Sequence, residues 1–342
     1  MRGRTGAFVL LGLGGLFVIA GLVIKFVFLP SQAQFPDDVD TTRSYEGTLE
    51  VMLNPQALAA NDLANVFMTD VPVTIDRHVT TEDTSGSKAL VREQAVLKAP
   101  DGTVIQASDD WYTIDRKTME HIDNWADDPN VREARQGLVI GFPIGTDQQD
   151  YDGWSDDYQA IVPLQFVEKI EREGITTYHF TSQSGAQPIL DEQLLANFPA
   201  ALPKALVEQL APVLAPPEML PMLDQFLPML PDPVEFGYTY EYENHYWVEP
   251  TSGVLIDYEK TEIRSIAVPG PAGLVSVGPV WALEYSATDQ SIQDAIDDAE
   301  DAKGLLTLFG TTIPYAAIGV GALLLLGGGY LLTRKREGAA TE

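Results

Sequence analysis

The two ends of the chain constrain what everything between them can become. Residues 5–24 form an uncharged apolar run behind Arg2 and Arg4, and residues 304–333 carry a second one ahead of Arg334, Lys335 and Arg336. Each can supply the roughly 20 apolar residues that an α-helix needs to cross a bilayer. Basic residues flanking a span are retained on the cytoplasmic side. The pattern therefore predicts a cytoplasmic tip at 1–6, a first span at 7–29, an exterior domain at 31–304, a second span at 313–333 and a cytoplasmic tail at 334–342.

The first run has a second reading, a cleaved secretory signal, because Ser31-Gln32-Ala33 resembles a cleavage site. Signal apolar stretches run to about 7 to 15 residues, whereas Phe26, Val27, Phe28 and Leu29 prolong this one past Lys25. That favours an uncleaved anchor. In the second run, Thr312-Ile313-Pro314 reads as a helix start with proline in its first turn, where the missing N–H costs little. Ala317 and Gly321 stand four apart, a spacing at which helix backbones approach closely. Gly12, Gly14, Gly15 and Gly21 give the first helix small residues for such a pairing.

Charge removes one class of function. Of 21 Lys and Arg and 50 Asp and Glu, 15 basic and 48 acidic residues lie between the flanks of the two spans. A surface so acidic repels phosphate backbones, so no nucleic-acid partner is expected. Cysteine is absent, so stability has to come from a core rather than from disulfides. The stretch 31–304 is longer than one ordinary domain, which fits one elaborate domain or two fused lobes.

From Tyr45 onward the chain reads mainly as strands. Residues 71–79 alternate, residues 84–88 (TSGSK) make a turn, Asp101-Gly102 is a strong hairpin signal, and Glu173-Gly174 separates two further strand-like runs. Residues 55–67 suit a short helix better. The segment 110–118 (DWYTIDRKT) echoes 245–253 (HYWVEPTSG) in its order of aromatic, β-branched, acidic and turn residues. Two related β-lobes explain the echo, and so does convergent hairpin chemistry. Strand character returns at 280–285, followed by an acidic helix at 291–303. The expected class is α+β, with a β-rich domain, a short helical insert and a membrane helix at each end.

That insert, residues 189–232, carries eight prolines and three methionines with few charges. Leu202, Leu206, Leu210 and Val213 are spaced for one helical face, as are Leu220, Leu223, Leu227 and Leu230, and Pro199, Pro203, Pro212, Pro216, Pro217, Pro221, Pro228 and Pro231 keep the helices short. Leu- and Met-rich short helices suit an adaptable surface for acyl chains or a partner helix. The same leucines would equally form a flap packed onto a β-core, or an oligomer contact.

Other candidates are weaker. The loop 147–157 is dense in carboxylates, as calcium sites are, but Gly153 at the turn position would put Gln148 first and Gln159 last, so a solvated loop is the plainer reading. Gly141-Phe142-Pro143-Ile144-Gly145 reads as a turn directing Tyr151 and Trp154 onto a surface. His78, His121, His179 and His245 lack metal-site spacing, and neither a G-x-S-x-G elbow nor a cysteine nucleophile exists. No catalytic residue, metal or cofactor is expected.

The short basic start, the N-terminal span, the Phe142-Pro143-x-Gly145-Thr146 segment followed by Tyr151 and Trp154, the Tyr246-Trp247-Val248-Glu249-Pro250-x-x-Gly253 hairpin and the span ending in Arg-Lys-Arg resemble the actinobacterial PorA-type family. The resemblance covers nearly the whole chain. It implies a porin label on proteins of largely unknown function, and a link to envelope lipoglycan maturation in mycolate-bearing relatives. A barrel porin needs many strands of about 10 residues alternating apolar outward and polar inward, whereas the membrane contacts here are apolar helices. The expected function is a non-enzymatic protein of the cytoplasmic membrane that binds or presents a lipid or lipoglycan intermediate, with Leu202 to Leu230 as its apolar contact. The alternatives are an oligomeric channel, formed by a homo-oligomer, and a scaffold for envelope enzymes.

Overall fold

The computed structural model describes residues 2–60, 62–215, 217, 219–270 and 273–337. They divide into two compact units, Met1–Phe35 with Asp297–Glu342, and Pro36–Ile296. In chain order the strands are β1 (Asp40–Leu53), β2 (Phe67–Ser85), β3 (Lys88–Lys98), β4 (Val104–Asp115), β5 (Tyr151–Ser155), β6 (Ala160–Arg172), β7 (Ile175–Pro188), β8 (Ala201–Leu202), β9 (Val234–Glu235), β10 (Gly237–Val248), β11 (Leu255–Gly270) and β12 (Gly273–Ala287). The α-helices are α1 (Arg2–Val23), α2 (Leu29–Gln32), α3 (Pro55–Ala59), α4 (Glu192–Leu195), α5 (Lys204–Leu214), α6 (Leu220–Phe226), α7 (Asp289–Thr307) and α8 (Ile313–Glu337).

The class is the expected one, a β-rich α+β fold with an apolar helix at either end. Among the described residues ten strands join one antiparallel sheet in the order β4-β3-β2-β1-β12-β11-β10-β7-β6-β5, with β8 and β9 paired apart. Its hairpins turn where glycine permits a positive φ: Gly86 between β2 and β3, Gly102 between β3 and β4, and Glu173-Gly174, at φ 50° and 83°, between β6 and β7. Two consecutive left-handed residues match the right-handed twist of the flanking strands. The chain thus builds outward from β1 to one edge at β4, crosses to the far edge at β5, and works back until β12 pairs with β1.

The crossing segment, residues 116–150, closes the curled sheet. Ile114 of β4 bridges to His121, Glu120 to Leu138, and Leu138 to Gly153 of β5, so backbone pairing continues from one edge to the other. Gly137 is required here: its φ is 66°, and a Cβ on it would lie 2.3 Å from the Asp152 carbonyl oxygen. Arg135, almost fully buried, ties the closure. Its guanidinium donates to Asp110 Oδ1 at 2.7 Å and the Trp111 carbonyl at 2.9 Å on β4, and to Asp156 Oδ2 at 2.8 Å just beyond β5.

The echo in the sequence is structural, in a register one residue away from the sequence match. Asp115 and Glu249 each end a strand, and each carboxylate accepts a hydrogen bond from the backbone N–H three residues on, Thr118 and Ser252. The fourth residue on, Met119 or Gly253, has a positive φ and donates its N–H back to Asp115 or Glu249. Tyr112 therefore corresponds to Tyr246, and Ile114 to Val248, both of the latter fully buried. The two β-rich stretches are halves of one sheet rather than separate lobes.

The helical insert differs from its expected pattern at two places. Leu202 lies in β8, because Pro203 starts the helix after it, and Leu230 follows a short 3-10 turn at Leu227–Met229. Helix α5 ends at Leu214, with Ala215 extended, and Pro216 itself falls outside the described residues.

In the other unit α1 and α8 run antiparallel with their small residues in register. Ala7, Gly14 and Gly21 face Gly328, Gly321 and Pro314, each set spaced by seven. A Cβ on Gly14 would come within 2.7 Å of the Gly321 carbonyl oxygen, and one on Gly21 equally close to the Pro314 carbonyl oxygen. Small residues that admit such close backbone approach drive helix pairing in membranes. Helix α8 starts at Ile313, beside the expected cap at Thr312, but with no break before it. A π-helical turn, Leu308–Thr312, instead joins α7 directly to α8, with the Ile313 N–H donating to Leu308, and a second π turn, Ile24–Phe28, follows α1.

Two outcomes follow. Gly14→Leu or Gly321→Leu should lower the melting temperature in nanodiscs through overpacking of about 1–3 kcal/mol, while Gly12→Leu, at a position where an added Cβ would meet nothing within 4 Å, should leave it unchanged. Arg135→Met, which leaves Asp110 and Asp156 only the more distant Arg132 guanidinium at 4.0 and 3.7 Å as counter-charge, should cost about 3–5 kcal/mol in urea unfolding.

Candidate functional site

Along β10 the side chains of Tyr240, Tyr242, Asn244 and Tyr246 share one face, as alternation requires, and their cross-strand partners on β11, Arg264, Glu262, Lys260 and Tyr258, share the same face. This face turns inward. Tyr240, Tyr242, Asn244, Tyr246, Tyr258 and Lys260, with Tyr45 of β1, Tyr112 of β4 and Tyr285 of β12, border a cavity of about 380 Å3 to which every strand of the ten-stranded sheet contributes, within the range of small-molecule sites. The alternate residues, among them Glu46, Thr48, Glu243, Glu259, Thr261 and Glu284, line a groove on the outer face.

Tyrosine rings make the cavity wall. Tyr45 meets Tyr285 edge-on at 5.6 Å and Tyr258 at 6.0 Å, and Tyr246 lies 5.0 Å from Tyr258. Burial holds their hydroxyls protonated: it pushes Tyr285 up to about 12, with Lys260 opposing, and raises Tyr258 and Tyr240 well above 10. The wall therefore keeps neutral hydroxyls over the whole physiological range.

Charges inside are paired. Arg77 donates bidentately to Glu93 at 2.7 and 3.0 Å and reaches the Ile140 carbonyl. Glu262 receives Lys260 Nζ, Arg264 Nη1 and Trp281 Nε1, each at 2.8 Å, together with the Tyr240 hydroxyl at 3.1 Å. Burial would raise the Glu262 carboxyl, but Arg264 and Lys260 outweigh it and hold it far below the carboxylate range. Asp157, which completes the group through Arg264 at 3.2 Å, is raised by burial and held in part by Arg264. Asn244 is the exception. Its amide nitrogen donates to the Tyr246 hydroxyl at 3.1 Å, and its Oδ1 is buried with no hydrogen-bond partner. Buried acceptors are almost always satisfied, by protein or by ordered water, so Oδ1 is open to a donor such as water or a ligand.

The residues singled out from the sequence lie elsewhere. Leu210, Leu223 and Leu227 are buried; Leu223 and Leu227 join a cluster with Tyr238, Ile266, Val268 and Val277 of the sheet, against which Leu202, Leu220 and Leu230 are partly buried. Leu206 is partly exposed, and Val213 is 53% exposed. The gap between this insert and the sheet is about 30 Å3, room for a few atoms. Phe142 does not turn Tyr151 outward but packs on it at 5.8 Å, and on Phe180 at 4.8 Å. In the acidic loop, Asp156 and Asp157 are taken by arginines, and Asp150 accepts from the Phe166 N–H. His179 and His245 come together, 3.0 Å apart on the outer face and stacked with Trp247, while His78 pairs with Asp40. Among the described residues no three acidic or histidine side chains group as a metal site. The cavity itself was signalled only by the alternating tyrosines 238, 240 and 242, whose shared face is visible in sequence but whose partners are not.

Tyrosine absorbance at high pH reads this interior. A residue whose folded pKa is raised contributes stability below its unfolded pKa and loses it as pH climbs through the folded value. Tyr285 and Tyr158, both pushed up to about 12, should thus leave part of the tyrosinate signal delayed beyond pH 10. Its late appearance should coincide with loss of near-ultraviolet dichroism between about pH 10 and 12. A single tyrosinate transition near pH 10 with the fold intact would contradict the buried wall.

Comparison with known proteins follows the same outline. Two crystal structures, a provisionally assigned lipoprotein of Parabacteroides distasonis and a provisionally assigned MaoC-domain dehydratase of Chloroflexus aurantiacus, align at 12% and 9% identity with TM-scores of 0.20 and 0.14. They cover 74% and 81% of this chain and 94% and 80% of their own. A protein of Corynebacterium resistens named Porin PorA is 24% identical over 283 residues, 68% of either chain. Residues 5–32 and 289–333 form helices long and apolar enough to cross a membrane, as befits a membrane protein. The family described as Porin PorA matches residues 6–330, nearly the full length, and the chain belongs to that family.

Proposed function

We propose that the protein is a non-enzymatic factor of the cell envelope, anchored in the cytoplasmic membrane with both termini in the cytoplasm and its barrel outside, that binds or presents a lipid or lipoglycan intermediate. The observation that carries this reading is the cavity, with the unpartnered Asn244 Oδ1 at its wall. Its cations are matched by Glu93, Glu262 and Asp157, so it suits a neutral, hydroxyl-rich headgroup better than a highly charged one. Aromatic walls give such a ring-bearing ligand flat apolar contact, and neutral tyrosine hydroxyls can both donate and accept. Because Leu210, Leu223 and Leu227 are buried among sheet residues, the insert serves this reading as the flap that caps the core, with Val213, Phe226 and Met229 exposed on its outside.

The porin name of the relative favours one other reading, conduction by a ring of copies. A barrel of this kind does not itself span lipid, since its outer groove is lined by Glu46, Glu243, Glu259 and Glu284, where a transmembrane barrel needs an apolar band. A scaffold for envelope enzymes would instead yield a protein partner on crosslinking.

Gentle purification from the native membrane, followed by native mass spectrometry and lipid extraction, separates these. The expected result is one glycolipid or lipid per chain, reduced about tenfold in Asn244→Leu through loss of a buried hydrogen bond. A lipid-free ring of subunits that conducts in a planar bilayer would replace binding with the channel.

A further inference from the structure

Lys25 interrupts an otherwise apolar run, and its position along the helix is informative. At 1.5 Å per residue, Arg4 and Lys25 lie about 31 Å apart on the first helix, and Tyr315 and Arg334 about 28 Å apart on the second. Both intervals match the roughly 30 Å hydrocarbon core. Arg4 and Arg334 thus mark one boundary of the membrane, and Lys25 and Tyr315 mark the other, at the depth where lipid phosphates begin.

At that boundary the two residues meet. Lys25 Nζ donates to the Tyr315 hydroxyl at 2.5 Å and stands 4.1 Å from the centre of its ring. Among the described residues no carboxylate is paired with Lys25. A charged side chain inside a membrane segment is retained with a partner or a function, and an ammonium carries three donors, of which Tyr315 takes one. Because the Tyr315 oxygen accepts from Lys25, its own O–H is left to donate outward. The pair therefore offers an oxyanion donors from two side chains on two helices.

The backbone around the pair is shaped to hold it. Lys25 lies within the π turn Ile24–Phe28, and the second π turn, Leu308–Thr312, lies opposite in the neighbouring helix. Such turns are rare overall and frequent at functional sites. Beyond Lys25 the glycine seam gives way to Phe28 against Phe309, rings 6.0 Å apart, and Leu29 against Gly310. Below it Gly21 closes onto Pro314 and Ile318. Lys25 and Tyr315 are thus fixed between two tight contacts, where an unconstrained lysine near a helix end would simply extend towards water. Exposed Val23, Phe26 and Val27 beside them supply an apolar flank for acyl chains.

We propose that Lys25 and Tyr315 form a stoichiometric site for the phosphate of an anionic phospholipid in the leaflet on that side. The site is separate from the barrel cavity and does not depend on what the cavity binds. The full-length protein is assembled in phosphatidylcholine nanodiscs containing a minor fraction of phosphatidylglycerol, released into mild detergent and weighed by native mass spectrometry. One phosphatidylglycerol per chain is expected to remain on the wild type and on Lys25→Arg. Retention should fall about tenfold in Lys25→Gln, the effect of losing a charged hydrogen bond, and also fall in Tyr315→Phe, which removes a single oxygen and tests the site even where Lys25→Gln does not fold. Inorganic phosphate in excess should not displace the lipid. Equal retention by wild type and Tyr315→Phe, or displacement by phosphate alone, overturns the proposal, whereas loss of retention in Asn244→Leu would place the lipid in the cavity and overturn it as well.

Discussion

One buried guanidinium decides whether this sheet has an inside. Ten antiparallel strands with β4 and β5 at the edges would otherwise leave two rows of unpaired backbone groups, a liability in any open sheet. Arg135 reaches the carboxylate of Asp110 and the carbonyl of Trp111 on one edge and the carboxylate of Asp156 beside the other. Arginine alone has the planar array of donors for three such partners, and its ring contact with Tyr112, 4.2 Å away, orients the plane. The bridges through His121, Leu138 and Gly153 depend on the crossing segment being held there.

Closure changes what the inner face has to be. An open sheet of this size would bury one apolar face against helices, whereas here the interior is divided. An apolar cluster of Leu49, Val73, Ile75, Leu97 and Leu283 fills one part, and the larger cluster beneath the proline-rich insert fills another. The tyrosines and paired charges border the space in between. Tyrosine suits that border, because its ring packs with the apolar clusters while its hydroxyl stays available to polar neighbours. The charged groups persist there only because each finds a counter-charge, since removing one member would leave the other buried and uncompensated.

What the sequence made legible is what local chemistry determines. The apolar ends, the Asp101-Gly102 and Glu173-Gly174 turns, and the proline-limited helices each depend on a few neighbouring residues, and each is present. The echo was legible too, although its register was displaced by one, because aromatic order was matched while the turn geometry is governed by Asp115 and Glu249. The second membrane helix, α8, begins at Ile313 beside the expected cap, but a π turn joins it to α7 without a break. That continuity was not legible, because proline in a first turn and proline just after a π turn look alike in sequence: both tolerate a missing N–H. The cavity was hidden for a different reason. Its lining is one to four residues from each of ten strands, brought together only by a crossing segment whose polar, glycine-containing sequence reads as a loop. The seven-residue spacing of Ala7, Gly14 and Gly21 against Pro314, Gly321 and Gly328 was present in the sequence, but a search for small residues four apart passes over it.

The helix seam bears on the porin name more directly than the barrel does. A conducting path needs polar groups or water along its length, because a bare charge in hydrocarbon is costly. Between α1 and α8 no such path exists: a single added Cβ at Gly14, Gly21 or Gly321 would sit within 2.7 Å of the opposing backbone, so the seam is closed to anything larger than the contact itself. The faces turned away from the seam carry Phe8, Leu16, Ile19, Leu323 and Leu326, all exposed and apolar, which suits lipid and offers nothing to a hydrated ion. Conduction by this architecture would thus require copies to meet through those faces and still leave water between them, with Lys25 and Tyr315 as the polar groups nearest one mouth.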